Sequence, residues 1–150
     1  NYQSMRKNDT SSQAWRATFM GEGSIDVGGP YRESITNMCA ELMHSVLPLF
    51  IPTPNNKNDH GFGRDCWTIN PSATSPTHLE MYEFLGALMG MAFRSGQVLD
   101  LKLTSFFYKS LAGEPLNRED LKAIDMYAIQ AIKELESTKK NVTEEMFDSY

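Results

Sequence analysis

The sequence predicts an α+β fold, mainly helical with a few short β-strands. Apolar residues recur at helical spacing in two long windows, Tyr31 to Leu47 and Leu79 to Ser95. Alternation of apolar and polar residues, by contrast, is confined to short runs such as AWRATFM, PLFIP and CWTIN. Glycine, proline and asparagine sit where helices of this length would start and stop. The 150 residues suit one domain with a real core, and 41% hydrophobic with 22% charged residues describe a chain that folds.

In chain order, residues 1–13 are polar and rich in Ser, Asn and Thr, so they are expected to form a flexible tail or the end of an upstream segment. The folded part is expected over residues 14–150. Trp15, Ala17 and Phe19 alternate with Arg16 and Thr18, the pattern of a half-buried strand. GEGSIDVGGPYRE then turns that strand into a helix: Gly28 and Gly29 give backbone freedom, Pro30 suits the first helical position, and Glu33 lies near the positive end of the helix dipole. Ile35, Met38, Cys39, Leu42, Met43 and Val46 make the buried stripe of this helix, with Pro48 stopping it. PLFIP reads as a strand, PTPNNKNDHGFGRD as an exposed loop, and CWTIN as a second strand. Leu79 to Ser95 is apolar nearly all round in its middle and reads as the central buried helix, with Gly96 as its left-handed cap. Three shorter helices follow: TSFFYKSLA between Thr104 and Gly113, NREDLKAID with Asn117 as N-cap, and Met126 to Lys139. TEEMFDSY begins a further short turn.

The chemistry of the chain excludes more than it offers. With a net charge of −5 and 14 scattered basic residues, it lacks the footprint of a nucleic-acid binder. No apolar run reaches the length of a membrane span, and the polar start carries no signal-peptide pattern, so a cytosolic or nuclear protein is expected. The glycines of GEGSIDVGG match neither a dinucleotide fingerprint nor a P-loop, and Glu22, Asp26 and Glu33 do not fall in the order of a calcium loop. His44, His60 and His78 have no cysteine or carboxylate at zinc spacing, so no metal and no cofactor is expected. Cys39 falls on a buried stripe, whereas Cys66, at the mouth of a polar loop with His60 and Arg64, is the better thiol candidate though still expected to be structural. Gly86 and Gly90 are expected to let another element approach the central helix, and Phe106 to Tyr108 to pack into the core.

The order of the pieces adds what no single motif supplies. GEGSIDVGGPYRE, a helix, PLFIPTPN, WTINP and EFLGALMGMAFRSGQVLDLKLTSFFYKSLAGEPLNREDLKAID together resemble the amino-terminal lobe of a HECT-type ubiquitin ligase, over Trp15 to Tyr150. The loop TPNNKNDHGFGRDCWTINP is most similar to the HERC-type branch. The resemblance implies the large subdomain of that lobe, part of an enzyme that passes ubiquitin from a conjugating enzyme to substrate lysines through a cysteine thioester. It also implies that the conjugating-enzyme subdomain and the thioester cysteine lie downstream, that neither Cys39 nor Cys66 is that cysteine, and that the chain alone is an inactive scaffold. In one branch of the family a tyrosine and a leucine bind ubiquitin non-catalytically; these positions fall at Asp65 and Trp67, and the aspartate removes an aromatic anchor. The rival readings are a stand-alone helical interaction module and, less favoured, a cysteine-dependent hydrolase built on Cys66.

Overall fold

A computed structural model describes residues 5–6, 13–20 and 28–139. The first helix, α1 (Gly29–Leu42), starts at Gly28, whose φ of 106° is open only to a residue without a side chain. Gly29 is already the first helical residue and has open space around it, so the freedom expected at both glycines is needed at one. Pro30 accordingly takes the second helical position, and Glu33 lies beyond the first turn, which contains no acidic residue. The segment 21–27 and the terminal TEEMFDSY lie outside the described residues.

The chain divides into two compact units, one built from Asn1–Ile51 with Ile69–Lys102 and the other from Pro52–Thr68 with Leu103–Tyr150. In the first, α1 buries Tyr31, Ile35, Cys39 and Leu42 on one face, and α3 (Pro76–Ser95) buries Leu85, Leu88, Met91 and Ala92. Leu49, Phe50, Ala73 and Leu101 complete this core, in which a fully buried leucine such as Leu49 or Leu88 contributes about 1.5–3 kcal/mol. Specific contacts tie it together. The Tyr31 hydroxyl donates to Met91 Sδ at 3.4 Å, the Tyr82 hydroxyl donates to the Leu49 carbonyl at 2.5 Å, and the Phe50 and Tyr82 rings meet edge to face at 6.2 Å. Ser75 caps α3 by accepting from the His78 amide, and Gly96, at φ 65°, ends it in the expected left-handed conformation.

Strands β1 (Phe50–Pro52) and β2 (Trp67–Ile69) form a two-stranded sheet. The second unit adds α2 (Pro54–Lys57), α4 (Ser105–Ala112), α5 (Arg118–Lys122) and α6 (Met126–Lys139), with Leu103 and Ile129 buried. Helix α5 opens with a capping box: Asn117 Oδ1 accepts from the Asp120 amide, and the Asp120 side chain accepts from the Asn117 amide.

Five further expectations from the sequence are corrected. AWRATFM keeps its alternation in burial, Trp15, Ala17 and Phe19 being half-buried and Arg16 and Thr18 exposed, yet it is not a strand. It is anchored by side chains instead: Trp15 Nε1 donates to Ser34 Oγ at 2.9 Å and its ring lies 5.0 Å from that of Tyr31. Helix α1 ends at Leu42 rather than Leu47, leaving Val46 exposed. Pro48 disfavours helix at the residue before it and clashes with the carbonyl four back, and the His44 ring captures the Val46 amide at 3.2 Å. The loop at residues 52–65 contains α2 and a fully buried Asn55, because a polar residue can be buried by hydrogen bonds that hydropathy does not register. Helix α3 buries one face only, with Phe93 90% exposed. The aromatic run on α4 lines a rim: none of its residues is fully buried, and Tyr108 is exposed.

Candidate functional site

The loop between α2 and β2, with the first residue of β2, gathers five of the residues singled out from the sequence: His60, Arg64, Asp65, Cys66 and Trp67. Its shape is set from beneath by Asn55. The Asn55 Nδ2 donates to the carbonyls of Phe62 and Lys122, both at 2.9 Å, while Oδ1 accepts from the Met126 amide at 2.7 Å. The Asn55 amide in turn donates to the Ile124 carbonyl at 3.0 Å, and its carbonyl accepts from the His60 amide at 3.0 Å. One buried side chain therefore fixes the loop, the end of α5 and the start of α6.

Two glycines make this close approach possible. At Gly61, φ is 81° and an added Cβ would lie 3.1 Å from Met126 Cβ and 3.2 Å from Asn55 Nδ2. At Gly63, φ is 62° and a Cβ would lie 3.2 Å from both the Ala123 carbonyl and Cys66 Sγ. No larger residue fits either position without moving a neighbour.

The groups displayed by this frame are aromatic and charged. His60 stacks on Tyr127 with centroids 4.9 Å apart. Phe62 is 65% exposed, with Lys122 Nζ 5.5 Å from its ring centre. Arg64 pairs with Asp59 at 3.5 Å, both exposed. Asp65 is exposed, and Trp67 is half-buried with its backbone in a parallel bridge to Leu103. Asn55 and Phe62, the residues that build and crown the loop, carried no sequence signal beyond lying in a run rich in Asn and Gly.

The two thiols differ sharply. Cys39 is 1% exposed, and burial pushes its thiol above the ordinary range, with the Asp100 carboxylate adding to the effect against a hydrogen bond from the Asp100 backbone. Such a group is a small hydrophobe rather than a ready thiolate. Cys66 is half-buried, and its Sγ lies 3.9 Å from Asp65 Oδ1. Among the described residues no three His, Cys, Asp or Glu side chains are grouped to hold a metal ion, and no helix is long and apolar enough to cross a membrane.

On α3, Gly86 and Gly90 line an open groove with Glu83, Ala87 and Arg94, where Met5 and Arg6 lie and the Arg94 guanidinium donates to the Met5 carbonyl. The missing side chains there leave room for another stretch of the same chain.

The sequence of this mostly helical chain, with its short two-stranded sheet, has relatives among known proteins. Residues 36–149 match the family model of the HECT domain (ubiquitin-transferase), and the chain belongs to that family. Among its relatives, the E3 ubiquitin-protein ligases HERC2 of Mus musculus and of Homo sapiens are 42% identical over 113 residues, which is 75% of this chain and 2% of each relative. The E3 ubiquitin-protein ligase TOM1 of Saccharomyces cerevisiae is 30% identical over 134 residues, covering 87% of this chain and 4% of the relative. The HERC2 matches agree with the branch that the loop sequence resembles. The chain spans only a few hundredths of the length of these relatives.

Proposed function

We propose that this chain is the large subdomain of a HECT amino-terminal lobe and serves as a scaffold in a ubiquitin-protein ligase, over residues 14–150. In this reading the whole protein receives ubiquitin from a conjugating enzyme on a cysteine outside this chain and passes it to substrate lysines. The family match over residues 36–149 carries the proposal. The environment of the two thiols supports it: Cys39 is sealed in a core with its pKa raised, and Cys66 sits under a glycine loop whose hydrogen bonds serve architecture. The expected setting is the cytoplasm or nucleus, with ubiquitin, a conjugating enzyme and protein substrates as partners.

The transfer chemistry makes the test direct. The full-length protein that contains this chain, supplied with activating and conjugating enzymes, is expected to form a thiol-reducible ubiquitin adduct that survives Cys39→Ala and Cys66→Ala. Loss of the adduct in a folded Cys39→Ala or Cys66→Ala variant would place the nucleophile in this chain and overturn the scaffold reading. Absence of any adduct would favour a helical interaction module, the reading to which exposed Phe62 and Leu111 lend support.

A second, weaker role is proposed for Asp65 and Trp67 as a ubiquitin contact. The half-buried Trp67 retains aromatic surface for it. Titrating unlabelled ubiquitin into the isotope-labelled chain should shift the Trp67 indole resonance, and Trp67→Ala should abolish the shifts of the Asp65 and Thr68 amides.

A further inference from the structure

The cleft between the C-terminal half of α1 and the N-terminal half of α3 is built from residues that the loop site does not use. It holds about 440 Å³, with Met38, Leu42, Leu47, Met81 and Phe84 among its apolar walls and the exposed carboxylates of Glu41 and Glu80 on its rim. That size lies in the range of preformed binding clefts. We infer that this cleft docks a short amphipathic helix of a partner protein, one whose apolar anchors are flanked by lysine or arginine.

Three features carry the inference. The walls combine two methionines, which adapt to the side chains they meet, with an aromatic ring and two leucines, the composition of grooves that accept the apolar face of a helix. The floor is held in place before any partner arrives: Leu42 and Leu49 are buried, and the Leu49 carbonyl accepts from Tyr82, whose ring meets Phe50. A preformed groove spares the partner much of the cost of ordering. The rim, finally, carries one sign of charge. Among the described residues neither Glu41 nor Glu80 is in a salt bridge, so both carboxylates are available to cations on a partner. A second copy of this chain is a poor occupant, because it carries a net charge of −5 and would approach an acidic rim against repulsion.

The test uses two labelled helical peptides of about four turns, with leucines at one-face spacing and either lysine or glutamate flanks. Fluorescence anisotropy with the full-length protein that contains this chain should show saturable binding of the lysine peptide and none of the glutamate peptide. The double variant Glu41→Lys, Glu80→Lys should weaken the lysine peptide by about tenfold or more and bind the glutamate peptide instead. Because both positions are exposed, the swap keeps the fold, and the gained binding proves that it has done so. Met81→Glu should abolish binding of either peptide. Binding of the lysine peptide that is indifferent to the charge swap would overturn the inference, as would no saturable binding up to about 1 mM. So would self-association in sedimentation that Met81→Glu removes, since that would make a second copy the occupant.

Discussion

Asn55 shows how much of a site can depend on one polar side chain. It is 1% exposed and satisfies three backbone groups with a single amide, the carbonyls of Phe62 and Lys122 and the amide of Met126. Leucine has the same branched outline, with bulkier methyl ends, but none of the bonds. Asn55→Leu would leave three buried groups unpaired at about 1–3 kcal/mol each, partly relieved where water reaches the loop. The expected loss is about 3 kcal/mol or more, read as a fall in the midpoint of urea unfolding. Asn55→Asp should cost comparably, because it keeps the acceptor for Met126 but faces two carbonyls with a carboxylate. A variant of either kind that unfolds at the wild-type midpoint would show that the loop is held by something else. None of this could be read from hydropathy, since the pattern marks where apolar residues recur and is blind to a buried amide.

At the scale of elements, the junction of α4 and α5 is where pH should act on stability. Lys109 Nζ lies 2.8 and 3.1 Å from the two oxygens of Asp120, and the same carboxylate accepts from the Asn117 amide. The hydrogen bond from Lys109, together with that from the Asn117 backbone, holds the Asp120 carboxyl below its ordinary range. A lowered folded-state pKa means that the stabilisation is complete above the unfolded-state value of about 3.9 and is lost as pH falls through the folded-state value. Thermal melts of the wild type taken downward from pH 5 should therefore show an acid-side loss of stability that Asp120→Asn makes shallower. An unchanged acid limb would remove this pair from the account. Asn117 as the N-cap was legible, because an asparagine just ahead of acids is a local helix-start signal, while the reciprocal bond from its amide to Asp120 came from the structure. The partner of Asp120, Lys109, was not legible, because the contact joins two helices and no spacing rule spans the turn between them. The same division separates the helix ends that were foreseen from the one that was not. Gly96 and Gly113 mark theirs by their own backbone at φ 65° and 71°, whereas α1 stops early because His44 and Pro48 act from outside it.

At the scale of the whole molecule, the class of fold was legible because long helical periodicities and short strands dominate the chain, and the family because the pieces follow one another in a known order. Burial around α3 was not, since periodicity says that a face is apolar but not what covers it, and Phe93 stands 90% exposed. The two thiols give a way to watch the fold as a whole. Cys39 sits at 1% exposure among Tyr31, Ile35 and Leu42 on the buried face of α1, with burial holding its thiol protonated. Cys66 is half-buried beside a loop. A thiol reagent needs both access and thiolate, and a core cysteine gains both only when its surroundings open. At mildly alkaline pH the native chain should therefore show one fast-reacting and one slow-reacting thiol. Cys66→Ala should remove the fast phase and leave the slow one, and sub-denaturing urea should accelerate the slow phase in step with unfolding seen by circular dichroism. Should Cys39 react rapidly in the native chain, the core around α1 would be open on the time scale of labelling, and a nucleophilic role for this cysteine would have to be considered again.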